Sequence, residues 1–246
     1  MRKHNLRILI SFLFCFSLAM SAQKQFTLKA PDGKLEANIT VGKTVEYTVA
    51  HNGDIMLDKS AVALLLNDGT VYGVDARLSG SSTKTVDQLI SSPVYKRNQI
   101  TDNYNELTLK FKGDYSIVFR AYNDGIAYRF VSSSKKPFEV ENEKAEFNFP
   151  AGQKIFVAYA NNSGGAFESQ YMNSFEQPYH NISLSDWNKK RLGISPLVVE
   201  GTNGKKVCIV EADLMDYPGM FLYPTDAANG LKGVFAPYPK NVEQGG

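Results

Sequence analysis

The stretch ELTLKFKGDYSIVFRAYNDGIAYRFV, residues 106–131, contains three segments in which apolar and polar residues alternate. The segments ELTLKFK (106–112), YSIVFRAY (115–122) and GIAYRFV (125–131) are separated by Gly-Asp and Asn-Asp-Gly, which are turn signals. A period of two places one face of each strand in a core and the other face in water. This stretch therefore predicts consecutive β-strands with one buried face.

The same alternation runs through the rest of the chain. It is found in FTLKA (26–30), KLEANITV (34–41), VEYTVA (45–50), AEFNFP, KIFVAYA, SPLVVE, KKVCIVEA, GMFLY and KGVFAP. No long helical period occurs after residue 22, and SLSDWNKKR (183–191) is a candidate for two helical turns only. The pattern predicts an all-β domain, a large antiparallel β-sandwich with wide sheets, in which Cys208 faces the core.

The first 22 residues have the features of a secretory signal peptide. A basic start, MRKHNLR, precedes the apolar run ILISFLFCFSLAM and a cleavage zone after Ala22. Removing residues 1–22 deletes three cations and no acid, so the formal charge falls from 27 − 25 = +2 to 24 − 25 = −1. We therefore expect export to the periplasm or medium and no attachment to a membrane after cleavage. Nothing in this charge favours a nucleic acid as partner.

The loop-like stretch FESQYMNSFEQPYHN, residues 167–181, is the main candidate for a functional site. It contains the carboxylates Glu168 and Glu176, whose separation in space their spacing in the chain does not fix. They are either ordinary solvated side chains or members of a site. The aromatic residues around them predict sugar stacking or docking onto another domain; these are Phe167, Tyr171, Phe175, Tyr179 and Trp187.

Other motifs favour plainer interpretations. The acids of EADLMDYPGM (211–220) lack the spacing of a calcium loop, and DYPG is typical of a turn. His51 in AHNGDI is predicted to lie at a hairpin turn. No nucleophile elbow, phosphate-binding glycine loop or zinc-ligand spacing occurs in the sequence. From the residues alone we predict no catalytic residues.

Three segments together resemble the N-terminal domain of glycoside hydrolase family 97, the exported α-glucosidases and α-galactosidases of Bacteroidetes. They are NYNELTLKF…YSIVFRAYNDGIAYRF, FESQYMNSFEQPYHNISLSDW and EADLMDYPGMFL, and the resemblance runs from LKAPDGKLEANITV to EQGG. It implies that residues 23–246 form a β-supersandwich similar to galactose mutarotase. It also implies that this domain ends before its last strands, and that a catalytic (β/α)8 barrel follows it in the family.

The resemblance further implies a function without chemistry of its own. The family's catalytic carboxylates belong to the barrel, and its calcium ion receives one glutamate from the N-terminal domain, in a Glu-x-x-Tyr segment. Glu176 matches that position, and Glu168 is the alternative. We expect a domain that packs on the barrel, contributes one calcium ligand and part of the pocket for an α-linked oligosaccharide, and is inactive alone. A free-standing carbohydrate-binding β-sandwich that uses Trp187 and the tyrosines remains the alternative.

Overall fold

The computed structural model describes residues 23–161, 165–172, 175–227 and 229–238. The predicted signal peptide and the EQGG segment lie outside these residues. No helix in the described ranges is long and apolar enough to cross a membrane.

The described chain forms strands joined by turns and three short 3₁₀ helices. The strands are β1 (Lys24–Lys29), β2 (Leu35–Val41), β3 (Val45–His51), β4 (Asp54–Leu66), β5 (Val71–Tyr72), β6 (Leu78–Ser91), β7 (Gln99–Phe111), β8 (Tyr115–Tyr122), β9 (Ile126–Ser132), β10 (Val140–Asn148), β11 (Lys154–Ala158), β12 (Tyr179–Ser183), β13 (Gly193–Ile194), β14 (Leu197–Glu200), β15 (Lys206–Ile209), β16 (Met220–Pro224) and β17 (Gly230–Phe235). The 3₁₀ helices are η1 (Phe167–Tyr171), η2 (Leu184–Asp186) and η3 (Thr202–Gly204).

The strands form three antiparallel sheets. A nine-stranded sheet has the order β1-β2-β3-β4-β10-β17-β16-β13, with β5 paired to β4. Two four-stranded sheets have the orders β12-β11-β14-β15 and β6-β7-β8-β9. The prediction of an all-β antiparallel sandwich is confirmed.

One large core joins the three sheets. In β8, Ile117 and Phe119 are fully buried, as the alternation in YSIVFRAY predicts. The Phe119 ring packs against Tyr47 of β3 at a centroid distance of 6.0 Å, across the two sheets. The same core contains Val157 of β11 and Leu197 of β14. Burial of this apolar face is what holds the sheets together.

Some local predictions differ from the structure. The prediction that Cys208 faces the core is wrong: Cys208 is exposed, because the neighbouring Ile209 occupies the buried face of β15 and alternation places Cys208 on the opposite face. The segment 183–191 forms only the single 3₁₀ turn η2. The turn predicted at His51 is confirmed, since Asn52 and Gly53 have φ of 50° and 83° between β3 and β4.

A partly buried ion pair crosses the third sheet. The Glu106 carboxylate accepts a 2.8 Å hydrogen bond from Arg120 Nε and lies 3.3 Å from Lys84 Nζ. Burial raises the pKa of Glu106, but the hydrogen bonds from Arg120 and Lys84 outweigh it and hold this pKa below its ordinary value. The charged form of Glu106 is therefore stabilised by folding.

We expect Arg120→Met to lower the free energy of unfolding at pH 7 by about 2 kcal/mol, because a charged hydrogen bond to a nearly buried carboxylate is lost. The folded-state pKa of Glu106 is depressed, so the pair's contribution is complete above the unfolded pKa of about 4.3 and is lost as the pH falls through the folded value. Urea denaturation at pH 7 and pH 3 measures both effects. Lys29→Met, which breaks the exposed Lys29–Glu36 pair, is the control with a much smaller loss. Equal stability of the Arg120→Met variant and the wild type at pH 7 would contradict the prediction.

Candidate functional site

The candidate stretch forms a surface loop between β11 and β12. We call residues 165–172 and 175–179 the aromatic loop. Its rings pack on β16: Phe167 contacts Tyr223 at 5.8 Å between centroids, and Tyr171 and Phe175 contact Phe221 at 5.4 and 5.8 Å. The loop therefore lies against the end of the nine-stranded sheet.

The segment 187–192 anchors this loop from the other side. Trp187 Nε1 donates to the Arg191 carbonyl at 3.0 Å, and Arg191 Nε donates to the Ala160 carbonyl at 2.8 Å. The Tyr159 hydroxyl accepts a hydrogen bond from the Asn188 amide at 3.1 Å. The segment is thus fixed to the end of β11 by side-chain and backbone bonds.

Trp187 belongs to the core. Its side chain is only 5% exposed and makes an edge-on contact with Tyr159 at 5.4 Å between centroids. Its ring also lies where a Cβ atom on Gly193 would be, so only glycine fits beneath it. The indole ring is therefore not available to stack on a sugar from solvent.

The exposed rings of the aromatic loop are those of Phe175 and Tyr179. Their exposed fractions are 55% and 57%, and Met172 beside them is 89% exposed. Phe167 and Tyr171 are partly buried and pack on the small cluster around Phe221. Of the aromatic side chains predicted to contact a substrate or a domain, Phe175 and Tyr179 offer the most surface.

Both candidate carboxylates are exposed to solvent. Glu168 lies in η1, and Glu176 lies three residues before the start of β12 at Tyr179. Within the described ranges, neither carboxylate has a hydrogen bond or an ion pair, and no three acidic, histidine or cysteine side chains come together as a metal site. Each carboxylate can therefore offer its oxygens to a ligand from outside the domain.

Gln170 is a residue of this loop that the sequence pattern did not indicate. This side chain is fully buried although it lies in the aromatic loop at the surface. Its amide group forms hydrogen bonds that connect η1 to segment 187–192. A glutamine between charged and aromatic loop residues carries no sequence signal of burial, since glutamine is mostly exposed in proteins.

A second polar cluster lines a cleft of about 1550 Å³ where β10 and β17 diverge. These strands pair only from Glu146–Lys232 to Asn148–Gly230. In the cleft, Glu143 accepts hydrogen bonds from the hydroxyls of Tyr128 at 3.0 Å and Tyr217 at 2.8 Å. Burial, with the nearby Glu143 charge, raises the pKa of Tyr217, so its hydroxyl stays a donor.

The loop 211–219 closes one side of this cleft. Glu211 Oε2 accepts a 2.8 Å hydrogen bond from the Met220 amide, and burial raises the pKa of the Glu211 carboxyl. Asp213 and Asp216 have left-handed backbone, with φ of 58° and 55°. The chain bends at residues 215–217. Glu211 fixes this loop to the start of β16, and the Tyr217 hydroxyl fixes it to Glu143 of β10.

Comparisons with known proteins agree with this architecture. A family model described as glycosyl-hydrolase 97 N-terminal matches residues 28–239. The chain is 46% identical over 242 residues to a retaining alpha-galactosidase of Bacteroides thetaiotaomicron, covering 98% of this chain and 36% of that protein. It is 25% identical over 151 residues to a probable retaining alpha-galactosidase of Streptomyces bingchenggensis, covering 60% of this chain and 22% of that protein.

Two solved structures share the fold. A glycoside hydrolase family 97 enzyme from Pseudoalteromonas sp. strain K8, in complex with acarbose, has a TM-score of 0.71 at 20% identity, covering 85% of this chain and 32% of that one. A beta-arabinopyranosidase has a TM-score of 0.75 at 23% identity, covering 87% of this chain and 36% of that one. The chain thus spans about a third of the length of these structures and of the Bacteroides relative.

Proposed function

This chain belongs to the glycosyl-hydrolase 97 N-terminal family, and from that premise we propose that it acts as the non-catalytic N-terminal domain of a calcium-dependent retaining α-galactosidase. The observation that carries the proposal is the 46% identity, over 98% of this chain, to only 36% of a retaining alpha-galactosidase. The domain would pack on a (β/α)8 barrel that holds the catalytic carboxylates. We also propose export to the periplasm or medium.

The aromatic loop is the surface that we assign to the barrel. Phe175, Tyr179 and Met172 of this loop each expose apolar surface, and the loop is held by the Phe221 cluster and segment 187–192. Grouped exposed apolar side chains are typical of a docking or ligand surface. In the assembled enzyme the same rings would border the pocket for an α-linked oligosaccharide.

We assign the calcium ligand to Glu176, with Glu168 as the alternative. Calcium takes six to eight oxygen ligands, and a bound ion would supply a fixed positive charge beside the substrate. The Glu176 carboxylate is exposed and has no partner within the described ranges, so it is free to coordinate. Since the described part of this chain brings no cluster of three ligands together, the remaining oxygens would come from the barrel and the site would form only at the interface.

The exposed rings of Phe175 and Tyr179 also favour a second candidate, a free-standing carbohydrate-binding module. Such modules stack sugars on exposed aromatic rings. This candidate loses its strongest residue, because Trp187 is buried in the core.

The purified 246-residue chain is expected not to hydrolyse nitrophenyl α-galactoside or nitrophenyl α-glucoside. We call this chain together with the proposed barrel the full-length enzyme, and that enzyme should hydrolyse the galactoside. The physical reason is that the two loop carboxylates lie exposed on an irregular segment, and catalysis requires an acid and a base held at a fixed separation. Release of nitrophenol is followed by absorbance at equal molar protein. Turnover by the pure chain that disappears in Glu176→Gln would contradict the proposal.

A further inference from the structure

Gln170 is a buried amide inside a surface loop. It has 0% exposure, a state that among the described residues it shares with one other polar residue, Ser60, and with apolar residues such as Leu192. Burying an amide costs free energy unless its donors and acceptors find partners. The burial of Gln170 is therefore compatible with a stable fold only if its amide is hydrogen-bonded to neighbouring segments.

Those hydrogen bonds join two segments. Gln170 Nε2 donates to the carbonyls of Phe167 at 3.1 Å and Lys190 at 3.2 Å, and Oε1 accepts from the Leu192 amide at 2.8 Å. The arrangement fixes the orientation of the amide, since the reverse orientation would direct Oε1 at two carbonyl oxygens. Gln170 thus connects η1 to segment 187–192 with two bonds, to Lys190 and Leu192, and its third bond, to Phe167, lies within η1.

The two segments differ in how they are held. Segment 187–192 is bonded to the end of β11 through Arg191 and through the Leu192 carbonyl, which accepts from the Ala160 amide at 2.8 Å. In contrast, η1 is a five-residue 3₁₀ helix whose N-cap, Ala166, and C-cap, Met172, make no side-chain cap hydrogen bond. Helices of this kind are weak in isolation. The Gln170 amide therefore supplies η1 with its main polar attachment.

The attachment extends to Glu176 through one shared ring. Tyr171, the last residue of η1, and Phe175 both pack on Phe221, at 5.4 and 5.8 Å between centroids. Glu176 follows Phe175 directly, and on its other side Tyr179 is paired with Ala158 in the sheet. Loosening η1 removes Tyr171 from this ring cluster and frees one end of the segment that carries Glu176.

We propose that Gln170 is a positioning residue: its amide holds η1 on segment 187–192 and so fixes the segment from which Glu176 reaches the calcium ion. The attachment of η1 by Gln170 follows from these contacts, whereas the link to calcium rests on the proposed function. Separate measurements test the two.

The first arm measures the loop. Gln170→Met keeps an unbranched side chain of similar size and removes all three bonds, while Gln170→Glu keeps only the acceptor for the Leu192 amide. Chymotryptic cleavage of the chain after Tyr171 should be about tenfold faster in both variants, because cleavage follows the open population. The matched control is Ser60→Ala, which removes the hydroxyl of another fully buried polar residue. That hydroxyl donates to the Asp58 carbonyl of β4 at 2.7 Å and accepts from the Asn148 amide of β10 at 2.8 Å.

Ser60→Ala should melt at a lower temperature without faster cleavage after Tyr171. Equal acceleration in Ser60→Ala would overturn the proposal, since the effect would then follow from global stability. Unchanged cleavage in the Gln170 variants would overturn it as well. If Gln170→Met does not fold, Gln170→Glu gives the same reading.

The second arm measures equilibrium calcium binding to the full-length enzyme by dialysis with the metal alone. Gln170→Met should weaken binding several-fold, Glu176→Gln should weaken it more, and Ser60→Ala should leave it unchanged. Weaker binding in Glu176→Gln with normal binding in Gln170→Met would overturn the link between Gln170 and Glu176. Normal binding in both would instead show that the proposed calcium role is wrong, whatever the first arm finds.

Discussion

Replacing Trp187 by alanine is expected to lower the free energy of unfolding of the chain by about 3–5 kcal/mol. The indole ring is 5% exposed, packs edge-on against Tyr159 and covers Gly193. Its removal leaves a cavity between the end of β11 and β13 that the surrounding backbone cannot close. The change also leaves the Arg191 carbonyl without the hydrogen bond from Trp187 Nε1. Urea denaturation followed by circular dichroism measures the loss.

Phe175→Ala is the matched control, because it removes an aromatic ring of the same region that is 55% exposed. We expect it to cost less than about 1 kcal/mol, in the range of surface substitutions. The pair also separates the two candidate functions. A Trp187→Ala variant of normal stability that no longer binds galactosides would support the free-standing sugar module and contradict the structural role.

Glu176→Gln in the full-length enzyme is expected to raise the calcium concentration for half-maximal activity by at least about tenfold, because even residues that only orient metal ligands cost 10–100-fold in affinity. The amide keeps the size of the side chain and removes the negative charge. A calcium titration of α-galactoside hydrolysis measures the shift, and excess calcium should restore much of the rate.

Glu168→Gln is the control for this titration. It changes an exposed carboxylate of the same loop, in η1, and should shift the calcium requirement little. A shift confined to Glu168→Gln would transfer the ligand role to Glu168. The absence of a shift in both variants would remove the aromatic loop from the metal site.

Most of the fold could be predicted from the sequence because burial alternates along the strands. YSIVFRAY coincides with β8, and KLEANITV differs from β2 by one residue. The strand β6 could not be predicted in this way. Its residues are nearly all exposed, and it is held by backbone pairing along β7. Its sequence therefore shows no alternation of apolar and polar residues that would identify a strand.

The composition of the aromatic loop identified it as a candidate site, but the sequence did not show which of its side chains face solvent and which face the core. Phe175 and Trp187 look equivalent in the sequence, yet one ring faces solvent and the other fills the core. That difference depends on Tyr159, directly after β11, and on Gly193 of β13, which only the fold brings to Trp187. Gln170 was missed for the same reason, because its partners at Lys190 and Leu192 are brought to it only by the fold.

Calcium binding by the 246-residue chain alone, compared with the full-length enzyme, tests the central claim that this domain completes a site it does not contain. With one carboxylate and few backbone oxygens, the chain alone should bind calcium with a Kd on the order of millimolar or weaker. The full-length enzyme should bind one ion far more tightly and lose that affinity in Glu176→Gln. A single site of micromolar Kd in the chain alone would contradict the account, since the domain would then hold a complete metal site of its own.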